Sequence, residues 1–321
     1  MNILITGGAG FLGQKLARRL LADGQIADEP VSRIVLVDQV AAPDRGDPRV
    51  QAIAADIADA ETMGALVRPD VDLVFHLAAV VSGAAEADFD LGMRVNLDAS
   101  RLLLEQCRRA GRRPRVVFTS SVAVYGGALP PVVGDDTPLN PRSSYGTQKA
   151  IAELLLADYT RKGFVDGRIL RLPTISVRPG APNKAASSFA SGLIREPLNG
   201  QPTICPVGLD LKLWLSSPRR AIDSLIAGAA LPAEALGERR ALNLPGLSVS
   251  VGEMIAALER AGGQAAVDLI RDERDPAVEA IVGSWPAAWD NRRAEALGLR
   301  PDPDFDAIVR AYIEDDLPAG A

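Results

Sequence analysis

The sequence predicts an α/β protein built on a doubly wound parallel sheet, with a smaller and less regular C-terminal part. Three observations predict it. Short β-branched runs alternate with longer helical patterns through the first 172 residues, the pattern of strand–helix–strand crossovers. A glycine-spaced turn, Gly7, Gly10 and Gly13, joins the first strand to the first helix. After Leu172 the alternation stops, and six prolines (173, 179, 182, 197, 202 and 206) break residues 173–215 into short mixed segments.

The strands are expected at 2–6, 33–37, 50–54, 71–77, 115–119 and 168–172. Each is apolar on both alternating faces, as strands covered by helices on both sides must be. Helices are expected at 11–23, 59–68, 86–110 and 144–162. Pro130, Pro131 and Pro141 place a loop before the last of these. Beyond residue 173 the sequence suggests a helix at 218–230, a strand at 240–244, a helix at 251–262 and one at 303–314. The resulting division is 1–172 for a nucleotide-binding domain carrying the catalytic residues, and 173–321 for a mainly substrate-binding part partly interleaved with the sheet.

Bulk properties exclude several function classes. The chain has 321 residues, 47% hydrophobic and 24% charged, ordinary values for a globular protein. Its net charge of −6 is the wrong sign for a nucleic-acid-binding domain. Cys107 and Cys205 lie in no C-x-x-C pair, so both are read as free thiols. No secretory pattern precedes the first strand, and no apolar run approaches the ~20 residues of a membrane span. The expectation is a soluble, cytoplasmic protein with neither membrane nor nucleic-acid partners.

The turn at 7–13 follows a strand and opens a helix, the context that gives such glycines meaning. Gly7 permits a tight turn, Gly10 lets backbone N–H groups approach a pyrophosphate, and Gly13 lets the helix pack closely on the sheet. Phe11 and Leu12 add their amides at the helix N-terminus, where the dipole favours an anion. The second strand ends in Asp38, whose carboxylate accepts from ribose hydroxyls and repels a 2′-phosphate, so the cofactor expected is NAD. Arg45, seven residues on, is read as a loop surface charge. Asp56 and Ile57 follow the third strand where adenine would lie, with capping of the next helix as the alternative for Asp56, although Asp59 can fill that role. Leu77, Ala78 and Ala79 end the fourth strand and leave room for the cofactor. His76, the single histidine, sits inside an apolar strand and is read as a core residue. One histidine and no cysteine cluster supply too few ligands for zinc, so no metal is expected.

Tyr145 and Lys149 stand at i and i+4 on a helix and therefore share a face. Oxidation of a carbinol needs a base for the hydroxyl proton. A tyrosine beside an ammonium can serve, because the neighbouring positive charge favours phenolate. Ser121, just beyond the fifth strand, can hydrogen-bond the reacting oxygen.

With these residues in place the chain resembles the extended short-chain dehydrogenase/reductase family, which includes NAD-dependent epimerases and dehydratases and has a Rossmann fold. The matching residues are Gly7, Gly10, Gly13, Asp38, Asp56, His76–Ala79, Asn96, Thr119-Ser120-Ser121, Val124-Tyr125-Gly126, Tyr145, Lys149 and Leu242–Gly246. The resemblance implies that Ser121, four residues before the tyrosine of Val-Tyr-Gly, is the catalytic hydroxyl rather than Ser120. It implies that Asn96 joins the catalytic set by orienting the lysine, and that the backbone around Pro173 and Ile175 holds the nicotinamide carboxamide. Longer strings at 75–86, 172–180, 186–192 and 281–286 resemble a sugar-acid dehydrogenase branch, which implies oxidation of a four-carbon sugar acid at C2. An NDP-sugar epimerase or dehydratase is the alternative, and a non-catalytic NAD-binding protein a third.

For the substrate, the loops after strands four and six offer Ser82, Thr174, Ser176 and Arg178 beside Ser121 and Tyr145. Hydroxyl side chains suit a polyol, and Arg178 suits a carboxylate through a two-pronged pair. A salt bridge within the fold is an equal reading for Arg178. Trp214 and Trp285 read equally as core or pocket wall. The partners expected are a small sugar acid and a second copy of the chain.

Overall fold

The computed structural model describes residues 1–182 and 185–318. Its first compact unit comprises residues 1–124, 143–171 and 222–242. Six strands arise in chain order: β1 (Asn2–Thr6), β2 (Arg33–Asp38), β3 (Val50–Ala54), β4 (Leu73–His76), β5 (Arg115–Ser121) and β6 (Asp166–Leu172). With Ala241–Asn243 they form a seven-stranded sheet in the order 241–243, β6, β5, β4, β1, β2, β3. β1 runs parallel to both neighbours, pairing Ile3 with Ile34 and with Leu73. From β1 the chain winds outward through β2 and β3, then returns to place β4 on the other side. Strand order therefore reverses at β1/β4, and the crevice outside their carboxyl ends is where such sheets hold ligands.

The helices of this unit are α1 (Phe11–Asp23), α2 (Ala60–Leu66), α3 (Ala99–Ala110) and α4 (Ser144–Arg161), with shorter turns before α3. Leu4, Val37, Val74, Val116 and Phe118 from the strands pack with Leu103, Leu104 and Leu156 from the helices into one core. Cys107 belongs to that core; burial pushes its thiol up to about 12, so it is an inert apolar filler. Cys205 is likewise free and buried.

The helix expected at 86–110 is not continuous. It is replaced by Ser82–Ala87, Phe89–Gly92 capped by Asp88, a π-helical turn over Met93–Asp98, and α3. Asp88 breaks the run because its carboxylate accepts from the Leu91 amide at 2.9 Å. The widened turn carries Asn96 inward, where its amide bonds backbone and side chain instead of continuing a surface face.

The second unit comprises residues 125–142, 172–221 and 243–321. Lys212–Ser216 pairs antiparallel with Leu247–Ser250 and parallel with Thr174–Ile175. Around this small sheet, Leu193 and Ile194 of helix Ser188–Leu198, Met254 and Leu258 of helix Val251–Val267, and Ile308 and Val309 of helix Phe305–Asp315 make a separate core. Ser250 and Glu253 form a reciprocal capping box. Gly263, at φ +75°, ends the regular helix near residue 262 as the pattern predicted, and a further short turn follows. Trp214 and Trp289 stack at 6.0 Å and Tyr125 meets Trp289 edge-on at 5.1 Å, so these aromatics fill the interior of this unit. Trp285 is half-buried and packs against the helical core. Among the described residues no helix is long and apolar enough to cross a membrane.

Candidate active site

The turn between β1 and α1 is shaped by its glycines. Gly7 has φ +73°, and a Cβ there would stand 2.8 Å from the Ala78 amide nitrogen. A Cβ on Gly13 would collide with the Gly7 carbonyl and stand 2.9 Å from the Gly8 Cα, so the first turn of α1 can lie against the loop only as glycine. Gly8, which the spacing argument passed over, is as constrained: its Cβ would meet the Leu36 Cβ at 2.7 Å. Gly10 is different. It is exposed, caps α1 without a side chain, and a Cβ there would meet only the Gly7 carbonyl, at 3.2 Å. The first amides of α1 thus have no side-chain cap and face an open approach, a cradle that fits a pyrophosphate.

Asp38 ends β2 half-buried, with its carboxylate accepting from the Ala9 amide at 3.1 Å and from the Gln39 amide at 2.8 Å. It braces the glycine turn and keeps lone pairs for a ribose diol. Arg45 is not a free surface charge: its guanidinium donates to the Gln14 carbonyl at 3.0 Å and to the Gln14 side chain, and burial lowers its pKa. Asp56 accepts from the Ala58 amide at 2.9 Å and pairs with Arg94 at 2.7 Å, while Asp59 caps α2. The Ile57 side chain is buried in the core, leaving its backbone for a ligand. Leu77, Ala78 and Ala79 are half-buried beyond β4, and the Leu77 and Ala78 amides bond Thr6. His76 is a satisfied core residue: Thr6 Oγ1 lies 2.7 Å from Nδ1 and Ser100 Oγ 2.9 Å from Nε2. Burial pushes its pKa down to about 3, so the ring is neutral.

The end of β5 and the start of α4 bring the catalytic candidates together. Strand alternation turns Thr119 and Ser121 to one side and Ser120 to the other. Ser121 is half-buried and accepts from the Ala123 amide at 3.2 Å, whereas Ser120 is buried and donates to Glu153. The two serines therefore have different surroundings. Lys149 is 1% exposed; its ammonium donates to the Thr119 carbonyl at 2.8 Å and lies 4.6 Å from the Phe118 ring centre and 5.7 Å from that of Tyr145. Burial pushes the Lys149 ammonium down to about 7, against an opposing pull from Glu153. Tyr145 is half-buried at the first turn of α4, whose N-terminus is capped by Ser143.

Asn96 is buried on the π-helical turn. Its amide bonds the Val80 backbone in both directions and donates to Gln148 at 2.8 Å, and no hydrogen bond joins it to Lys149. It acts on the residue next to the lysine. Sequence reasoning missed the buried carboxylate behind the site. Glu153 accepts from Arg171 Nε at 2.9 Å and Nη2 at 2.6 Å, both side chains being buried.

The remaining candidates fall outside this cluster. Ser82 opens helix Ser82–Ala87, half-buried, in the first unit. Pro173, Thr174, Ile175, Ser176 and Arg178 belong to the second unit. Thr174 and Ile175 form the edge of its small sheet. Ser176 is fully buried, and its hydroxyl donates to the Ala190 carbonyl at 3.0 Å, so its expected substrate contact is withdrawn. Arg178 is half-buried; its amide donates to Ser191 Oγ, and its carbonyl accepts from Arg195 at 2.8 Å. Among the described residues no group of three or more metal-ligating side chains converges.

Comparison with known proteins gives a family and close relatives. The profile of the NAD dependent epimerase/dehydratase family matches residues 3–216. The chain is 61% identical over 319 residues to a D-erythronate dehydrogenase of Cupriavidus necator, covering 98% of each. It is 45% identical to a D-erythronate dehydrogenase of Haemophilus influenzae, over 99% of this chain and 100% of that one. The crystal structure of a nucleoside-diphosphate-sugar epimerase from Agrobacterium tumefaciens superposes with a TM-score of 0.93 at 46% identity, covering 98% of this chain and 94% of that one.

Proposed function

The chain belongs to the NAD-dependent epimerase/dehydratase family, and from that premise we propose that it oxidises D-erythronate at C2 to 2-oxo-tetronate with NAD as oxidant. The observation that carries the substrate is the 61% identity, over 98% of both chains, with a D-erythronate dehydrogenase. NAD, when bound, supplies the nicotinamide that accepts the hydride. Gly7, Gly10 and Gly13, the Phe11 and Leu12 amides, Asp38, Asp56, the Ile57 backbone and Leu77–Ala79 would hold it, with Pro173 and Ile175 at the carboxamide. In this reading Ser121 hydrogen-bonds the C2 hydroxyl, Tyr145 takes its proton, and the Lys149 ammonium favours the phenolate that does so. Asn96 positions the helix through Gln148. The reading assigns the nucleotide to the first unit, and contacts with the sugar acid to Ser82 of the first unit and to Thr174 and Arg178 of the second. The reading includes a cytoplasmic location and a homodimer, the latter checked by light scattering.

A second reading, an NDP-sugar epimerase, rests on the 46% identity to the Agrobacterium epimerase. One screen separates the two. D-erythronate, other tetronates and UDP-sugars are each supplied with NAD, and reduced cofactor is followed by absorbance. Turnover of D-erythronate, abolished by Tyr145→Phe, is expected. Epimerisation of a UDP-sugar with no net NADH would replace the first reading by the second.

A further inference from the structure

The buried pair behind the site has no part in the chemistry just described, yet it touches both elements that carry it. Tyr145, Lys149 and Glu153 succeed one another at four-residue steps on α4, so they share a face. Two bonds tie that face to the end of β5. Lys149 donates to the Thr119 carbonyl, and Ser120 donates to the Glu153 carboxylate. Glu153 is in turn gripped by Arg171 on β6, with both side chains under 10% exposed. The residues so clamped, Thr119 and Ser120, directly precede Ser121.

We propose that Glu153 is a positioning residue for the Lys149–Tyr145 pair: it fixes the end of β5 against α4 and supplies the negative charge that keeps the neighbouring lysine cationic. The proposal rests on Tyr145 and Lys149 being the proton-transfer pair. The titratable groups facing Lys149 are Tyr145 and Glu153 on its own helix and His76 on β4, with Arg171 on β6 behind Glu153. His76 is neutral and carries no charge to support the lysine's. Among these groups Glu153 is the one whose negative charge opposes the cost of burying the ammonium. A carboxylate eight residues from the tyrosine thereby acts on it through the lysine.

The test titrates Tyr145 directly, without substrate. Phenolate absorbance of the full chain is followed against pH, and the Tyr145→Phe background is subtracted. Glu153→Gln keeps the shape and an acceptor for Ser120 but removes the charge. It should move the Tyr145 titration to higher pH and lower the phenolate fraction at a fixed pH near 7, where the parent lysine still carries its proton about half the time, by about tenfold, one pH unit. Because an unpaired buried Arg171 can prevent folding, the double variant Glu153→Gln with Arg171→Met is measured too. It removes the nearer negative charge and the farther positive one, so the shift keeps its direction and shrinks. A purely structural Glu153 would lower thermal stability and leave both titrations where they were. Either variant, folded and titrating as the parent does, overturns the proposal. Failure of D-erythronate as a substrate would count against the proposed function and leave this titration untouched.

Discussion

Replacing Lys149 by methionine should stabilise the protein, and by an amount that depends on pH. Lys149 is 1% exposed and its ammonium is pushed down from 10.5 to about 7 by burial. The sign follows from linkage. Between about pH 7 and 10.5 the unfolded chain holds a proton that the folded chain has released, so this group's contribution to stability rises with pH through that window. Below pH 7 its full cost is present, about 5 kcal/mol at about 1.4 kcal/mol per pH unit. Going from pH 6 to 9 recovers about 3 kcal/mol of that cost in the parent and none in Lys149→Met. The variant also loses the bond to the Thr119 carbonyl, which counted for the neutral amine is a penalty of about 0.5–1.5 kcal/mol at either pH. Urea unfolding of both proteins without NAD, at pH 6 and pH 9, measures the difference. The advantage of Lys149→Met over the parent should shrink by about 3 kcal/mol at the higher pH. Equal differences at both values would show that the buried lysine is not held near neutrality, and the charge argument would fall with it.

Three further outcomes are expected. Asp38→Ala should narrow the preference for NAD over NADP, read from kcat/KM with each; it should also loosen the glycine turn, since Asp38 holds the Ala9 amide. Gly13→Ala should cost about 1–3 kcal/mol by forcing a methyl group onto the Gly7 carbonyl, and thermal shifts should show weaker stabilisation by NAD. Arg178→Ala should raise KM for a sugar acid with little change in kcat, whereas Ser176→Ala should leave KM unchanged and lower Tm, because the Ser176 hydroxyl is committed to Ala190; an unchanged KM for Arg178→Ala would make that arginine structural.

The sheet was legible because its inner strands β1, β4, β5 and β6 are buried on both faces, so each reads as an apolar run with no need to know its neighbours; the edge strand β3 is largely exposed. Gly7 and Gly13 were legible for a similar reason: the backbone leaves no alternative residue. What was not legible depends on partners distant in sequence. The helix at 86–110 looked continuous because nothing local reveals that Asn96 must reach Val80 and Gln148. Helix Ser188–Leu198 was hidden by three serines and glycines in its first turns and by Pro197 within its last turn. Ser176 looked available because a serine after a strand end often is; only the packing of that helix shows where its hydroxyl goes. Glu153 and Arg171, eighteen residues apart on a helix and a strand, carry no spacing signature at all.

The histidine and the two serines show how the fold assigns roles that composition leaves open. The chain has one histidine, and a lone histidine in a dehydrogenase invites the part of base. Here both ring nitrogens are occupied, by Thr6 and Ser100, and the ring stays neutral down to about pH 3. A base must present an open lone pair to substrate, so His76 is disqualified by its hydrogen bonds before its pKa is considered. The serines are sorted by the two-residue period of β5. Ser120 turns toward Glu153 and Arg171, while Ser121 stays half-buried on the side of the Thr119 side chain. A one-residue slip of that strand would exchange the two and turn Ser121 toward Glu153 and Arg171. The bond from Ser120 to Glu153 and the bond from Lys149 to the Thr119 carbonyl both oppose that slip. The register that exposes Ser121 is therefore enforced by the same side chains that set the charge beside Tyr145.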